Sequence, residues 1–314
     1  MGVPIRSSLK VVQIGETEDR IPVFLDRFAS EADHIVFINR IKTHTDFEFE
    51  IESGLMKLMA IGLGKQEGAA ACHQAILTYG YPRVILTVAR KVLQSGRVLF
   101  GVGPVENADF QTARIGVFGP GELEEGEKDL LKESKELAGR LPFEKVDLLI
   151  IDEMGKDICG TGFDTKVVGR IHQPLLVREP EIPKVKRILV RDLTKNTEGN
   201  ADGVGMADFV TKRLVDKIDI HALYVNAITG LEPERAKIPL TLGNDREAID
   251  VAIRSVGLIP SVKLRIIRIK NTLHLREVDI SEGYKEELSK RSDLETIAEE
   301  RPIVFDEEGN LEAF

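Results

Sequence analysis

Apolar residues along this chain gather in short runs separated by polar stretches rich in glycine. The runs Val11–Ile14, Ile35–Ile38, Val84–Val88, Ile115–Phe118, Leu148–Ile151, Ile188–Val190, Leu223–Val225 and Leu264–Ile269 read as strands. Between several of them lie helix-length segments, notably Gln66–Thr78, Glu122–Gly139, Met206–Asp216 and Arg246–Arg254. Such alternation predicts an α/β fold, with mostly parallel or mixed sheets flanked by helices.

Length divides this pattern in two. A chain of 314 residues exceeds a typical single core, so two α/β domains are expected, with a site in the cleft between them. Arg178-Glu179-Pro180-Glu181-Ile182-Pro183-Lys184 carries two prolines and four charges without a periodic apolar face. It reads as the linker. The expected parts are residues 1–180, residues 185–280, and a C-terminal helix and tail over 281–314. There the charge of Glu282–Arg291 suggests a solvated helix, with Ile303 and Phe305 packing the tail.

Composition narrows the function classes. An apolar content of 42% with 30% charged residues describes an ordinary globular protein. No apolar run approaches a bilayer span and no signal-peptide core opens the chain, so a cytoplasmic protein without membrane partners is expected. A formal net charge of −9 argues against nucleic-acid binding, which needs a basic surface. Cys72 and Cys159 are too few for a disulfide framework or a thiolate cluster. Any metal must use other ligands or arrive inside a cofactor.

The densest chemistry lies around Ser53-Gly54-Leu55-Met56-Lys57, with Lys57 sixteen residues before His73 and thirteen after His44. Lys57 stands between Met56 and Leu58, whose burial would bury it too. A buried lysine is rare unless it is paired, neutral or covalently used, although its stem can also snorkel to the surface. Ala69, Cys72, His73, Ile76 and Leu77 form one helical stripe, which points His73 inward as either a satisfied core imidazole or a metal ligand. Gly54, Gly62, Gly64 and Gly68 permit close backbone approach, and a helix starting near Lys65 would offer N–H groups to a phosphate. His44 follows a strand in the loop Asn39–Phe47. There Arg40 and Lys42 could bind an anion and His44 could move a proton, unless it is simply an exposed loop histidine. Asp152, Glu153, Lys156 and Asp164 could line a ligand at another strand end. No Gly-x-Gly-x-x-Gly follows an early strand, which disfavours a nicotinamide-dependent dehydrogenase.

Taken together, Asn39–Phe47, Glu52–Lys57, Ile61–Lys65, His73, Asp152–Asp164, Gly169-Arg170, Asn226–Thr229 and Asn271–His274 resemble the nickel-pincer-dependent lactate racemase family over practically the whole chain. The resemblance implies a racemase or epimerase of small 2-hydroxy acids, working by hydride transfer to a lysine-tethered nickel-pincer nucleotide. The cofactors would be nickel and pyridinium-3,5-bisthiocarboxylic acid mononucleotide, supplied by dedicated biosynthesis enzymes. Lys57 matches the tether, His73 the nickel ligand and His44 one of two acid/base histidines. Gly54, Gly64 and Lys65 fall to the cofactor-binding stretch, and Arg40, Lys42 and Lys195 to the substrate.

Hydride transfer avoids the carbanion that direct loss of the C2 proton would form beside a carboxylate. Family members carry about a hundred further residues before the point matching Gly2, including a Ser-His-Gly segment with the other histidine. His34, His172, His221 and His274 do not match that position. A shortened N-terminus is therefore expected, arising from a misplaced start or completed by a separate N-terminal polypeptide. The alternative is a catalytically incomplete paralogue that binds a nucleotide or small acid without turnover.

Overall fold

In the computed structural model, residues 2–45, 47–171 and 179–314 are described, and the chain divides into two compact units, Met1–Ala138 and Gly139–Phe314. Both combine sheets with helices, giving the mixed α/β architecture that the alternating pattern predicts. Among the described residues no helix is long and apolar enough to cross a membrane.

The first unit opens with an antiparallel hairpin of β1 (Val11–Glu16) and β2 (Pro22–Asp26). Asp26 ends β2 and caps the short helix α1 (Arg27–Glu31) by accepting the Ala29 N–H at 3.0 Å. Strand β3 (Ile35–Ile38) leads through a long loop to a single turn, α2 (Leu55–Lys57), which runs directly into a π turn, Leu58–Gly62. Then come α3 (Lys65–Tyr79), α4 (Tyr81–Leu93), β4 (Val98–Glu106), β5 (Thr112–Phe118) and α5 (Leu123–Leu137). Strand β4 is central, parallel to β3 and antiparallel to β5. One face of this sheet supplies Phe37 and Val105 to a core shared with Leu55, Met56 and Met59 and with Val88, Leu123 and Leu130 from the helices. Leu55, Met56 and Met59 are fully buried, so the segment carrying Lys57 is anchored by apolar side chains on either side of the lysine.

The run Val84–Val88 is not a strand but the middle of α4. Its buried residues Val84, Ile85, Val88, Ala89 and Val92 keep the helical period over thirteen residues, and Pro82 sits in the first turn. Locally the β-branched side chains suit a strand, whereas the flanking residues extend a helical period.

The second unit is built on one six-stranded sheet. Along the chain come β6 (Lys145–Met154), the helical turn α6 (Thr165–Val168), β7 (Lys184–Leu193), β8 (Phe209–Thr211), α7 (Lys212–Val215), α8 (Ile220–Gly230), β9 (Leu240–Leu242), α9 (Asp245–Ser255), β10 (Ile266–Ile269), β11 (Asp279–Ile280) and α10 (Lys285–Leu288). The strand order is β11-β10-β6-β7-β8-β9, and only β11 runs antiparallel to its neighbour. Burial on both faces explains the continuous apolar runs. Leu149, Ile151, Ile188 and Val190 enter one core, and Leu148, Ile150 and Leu189 enter another with Ala248 and Ile249 of α9.

Four expectations need correcting here. The units meet at residues 138 and 139 rather than at the proline-rich segment Arg178–Lys184, whose flanking strands β6 and β7 are paired neighbours in one sheet. Arg178 and His172 lie outside the described residues. Leu223–Val225 belongs to α8, whose first N–H groups are capped by Asp219, and Met206–Asp216 divides into a turn, β8 and α7. Past Ser281 the helix shrinks to α10 after a tight turn, and of the two tail residues Phe305 packs against the sheet whereas Ile303 is exposed.

The tail is held by charge as much as by packing. Arg191 is buried between Asp152 at 2.5 Å and Asp245 at 2.7 Å, and Arg268 also bonds Asp152. Arg191 donates to the Leu311 carbonyl, while the N–H of Leu311 donates to Asp245 and that of Phe314 to Asp152. Each carboxylate thus meets both a guanidinium and backbone donors, which is what makes burial of these charges tolerable.

Candidate functional site

The loop between β3 and α2 leaves the carboxyl end of a parallel strand, where open α/β sheets place their ligands. Its two ends are tied together. Lys42 and Ser53 exchange backbone hydrogen bonds at 2.8 and 3.1 Å, and the Asn39 amide donates to the Gly54 carbonyl at 3.0 Å. Inside the loop the Glu52 carboxylate is fully buried. It accepts the N–H groups of His44 and Phe49 at 2.7 and 3.2 Å and pairs with Lys135 of α5 at 2.6 Å. The loop therefore folds around an internal anion rather than an apolar residue, and its conformation is tied to α5.

That wrapping turns His44 inward, leaving it 7% exposed. Its ring stacks on Phe47 with centroids 4.3 Å apart, and Phe47 stacks on Tyr81 at 4.5 Å. On the open side of the imidazole the Lys57 amine lies in hydrogen-bond contact with His44 Nε2. A protonated lysine can only donate, so in that state Nε2 accepts and the ring proton is assigned to Nδ1. Lys57 itself is half-buried, between the buried Met56 and the partly buried Leu58.

The turn beneath Lys57 is held by a second buried carboxylate. Glu127 of α5 accepts the Met56 N–H at 2.8 Å through Oε2, while its Oε1 is buried without a hydrogen-bond partner among the described residues. Burial pushes this carboxyl up to about 7, against the opposing pull of the Met56 and Leu55 N–H groups. Gly54 makes the approach geometrically possible, because a Cβ there would lie 2.2 Å from Glu127 Oε1. Glu127 is masked in the sequence by the acidic run Glu124-Glu125-Gly126-Glu127. Its signal was positional: it shares the buried stripe of α5 with Leu123, Leu130, Leu131 and Ser134.

The remaining candidates are placed less centrally. His73 lies half-buried on α3, at the edge of a spine formed by Gly68, Cys72 and Ile76, not in the middle of a stripe reaching the exposed Leu77. Gly64 packs against its own chain, since a Cβ there would lie 2.7 Å from the Gly68 Cα. Lys65 has a positive φ of 51° and pairs with Asp26 at 3.5 Å. Arg40 pairs with Glu106 of β4 at 2.8 Å, and Lys42 is exposed while its backbone joins Ser53. Lys195 is an exposed turn residue in the second unit.

The acidic stretch after β6 does not form a single ligand-lining set. Asp152 belongs to the buried Arg191 network, and Glu153 accepts from the Asn271 amide. Asp164 caps α6. Lys156 donates to Asp202 at 3.1 Å and to Asn226 at 2.7 Å, and the buried Asp202 keeps one oxygen, Oδ1, without a partner among the described residues.

Among the described residues no three His, Cys, Asp or Glu side chains gather to hold a metal ion. A metal carried within an organic chelator needs only one protein donor, for which the His73 imidazole is suited. A half-buried amine against an imidazole likewise fits covalent attachment, because the imidazole can take the proton that an attacking amine must lose.

No protein-family model and no curated protein matches the chain. Among solved structures, the lactate racemase apoprotein from Thermoanaerobacterium thermosaccharolyticum is similar, with a TM-score of 0.43 and 12% identity over 84% of this chain and 67% of that one. So distant a likeness assigns no activity.

Proposed function

We propose that this chain acts on small 2-hydroxy acids as a racemase or epimerase, with a nickel-pincer nucleotide attached to Lys57. The observation that carries the reading is the contact between the Lys57 amine and His44 Nε2, backed by the Phe47 and Tyr81 rings. It supports reading Lys57 as a nucleophile on an apolar-anchored turn and His44, from the preceding loop, as its base. The residue pattern that resembles the nickel-pincer family supports the choice of cofactor.

His44 would serve twice. While the amine is free, Nε2 accepts its proton and makes it nucleophilic. Once the amine is acylated it has lost its cationic charge, and Nε2 is released to take or return the hydroxyl proton of a 2-hydroxy acid. When bound, the nucleotide would supply a reversible hydride acceptor for C2. His73 would be the protein donor to its nickel, with Gly54, Gly64 and Lys65 shaping the binding stretch. Arg40 and Lys42, on the loop that carries His44, are proposed for the substrate carboxylate.

The test is co-expression with the cofactor biosynthesis enzymes, followed by intact-mass and nickel analysis and chiral assays over a panel of 2-hydroxy acids. A covalent adduct on Lys57 with bound nickel and interconversion of enantiomers is expected. An unmodified Lys57 without nickel would remove this reading.

A further inference from the structure

We infer that Glu127 is a positioning residue, the buried carboxyl group that clamps the first turn of the Lys57 segment and thereby holds the lysine amine against His44. Three observations carry the inference. Glu127 comes from a distant helix, yet its Oε2 bonds the N–H of Met56, the residue immediately before Lys57. Gly54 leaves room for its other oxygen, 2.2 Å from where a Cβ would stand, so a side chain at that position would expel the carboxylate. Among the described residues no cation pairs with it, and a buried, uncompensated carboxylate is a costly way to fix a turn that an apolar side chain could pack.

The surrounding charges are engaged elsewhere. On the same helix Glu124 pairs with Arg90 of α4, and Lys128 pairs with Glu50, Glu124 and Glu125. Glu52 of the loop takes Lys135, Arg114 of β5 takes Glu133, and Glu106 of β4 takes Arg40. Glu124 is the only one of these whose charge acts on Glu127, and it opposes ionisation. Gain or loss of one proton at Glu127 is thus set chiefly by the dry pocket, reinforced by Glu124 and opposed by the two N–H groups. With the carboxylate charged, those N–H groups are held by a charge-assisted bond. With the carboxyl neutral, the clamp weakens and the amine is freer to leave His44.

The inference requires only the Lys57–His44 contact and holds for any chemistry at Lys57. Its failure and failure of the nickel-pincer reading are therefore separate outcomes.

The experiment uses the full chain without cofactor. Limiting acetic anhydride labels the lysines across the neutral pH range, and peptide mass spectrometry gives Lys57 labelling relative to exposed lysines of the same molecule. In parallel, carbon NMR of glutamate-labelled protein follows the Glu127 carboxyl titration. We expect the relative labelling of Lys57 to fall severalfold as pH falls through the Glu127 midpoint, because an amine released from His44 loses the base that takes its proton, and E127Q to abolish that inflection while circular dichroism stays unchanged. The same inflection in E127Q overturns the inference. Should E127Q fail to fold, the wild-type midpoints decide: coincidence supports the clamp, and separation overturns it.

Discussion

The backbone N–H of His44 donates to the carboxylate of Glu52 at 2.7 Å, although eight residues separate them. The same carboxylate takes Lys135 and the Phe49 N–H, so one buried anion organises the loop that presents the imidazole.

Replacing Glu52 should therefore disturb the histidine more than its distance from the ring suggests. Glu52→Ala leaves the Lys135 ammonium without its buried partner and two N–H groups unsatisfied. Loss of a partner from a buried pair costs about 3–5 kcal/mol, and the half-exposed Lys135 places this case at or below the lower end. Urea unfolding measures that cost. Hydrogen exchange should show faster exchange at His44 and Phe49 than at the strands β3 and β4.

The Lys57–His44 contact separates two losses. Lys57→Arg keeps a cation beside the imidazole, and the fold with it, but should abolish covalent cofactor attachment by intact mass. His44→Asn should slow attachment and, in loaded protein, lower turnover by about 10²–10⁴-fold, the usual contribution of a general acid/base group. Attachment at an unchanged rate in His44→Asn would show that the imidazole does not activate the amine.

Much of this arrangement is legible in the sequence, and the omissions have physical causes. Ile35–Ile38 matches β3 at both ends because the run is short and bounded by polar residues, and Gln66–Thr78 and Arg246–Arg254 fall within α3 and α9 because their apolar spacing persists over several turns. Val84–Val88 failed because β-branched residues suit a strand locally, whereas packing decides their fate over a longer window. The positions of Lys57 and His44 are visible as residue types, but their contact depends on Glu52 and Glu127. Both are acidic residues whose burial is set by long-range partners, Lys135 in one case and Gly54 in the other. No local periodicity records such a partnership.

The C-terminal strap should behave as part of the second unit's core. Asp245 is fully buried and joins Arg191, Arg213 and the Leu311 N–H. Asp245→Ala should cost about 3–5 kcal/mol by leaving Arg191 short of a buried counter-charge. Limited proteolysis should then cut the chain within residues 305–314, where the wild type is protected.

Glu127 makes a stability prediction with a definite sign. Its carboxyl rises from an ordinary 4.5 to about 7 on folding, so between those values the folded state holds more protons than the unfolded one, and stability falls as pH rises. The favourable contribution is complete below about pH 4.5 and lost above about pH 7. Each pKa unit is worth about 1.4 kcal/mol, so the full swing is about 3 kcal/mol. Glu127→Gln removes the titrating group, while its amide carries a fixed cost of about 1–3 kcal/mol if the NH₂ finds no acceptor. That fixed cost cancels when one variant is compared at two pH values. Relative to wild type, the variant should gain about 3 kcal/mol between about pH 5 and about pH 8 in paired urea titrations. A difference that stays constant over this range would mean that Glu127 is already ionised at acid pH and that the dry pocket does not govern its proton.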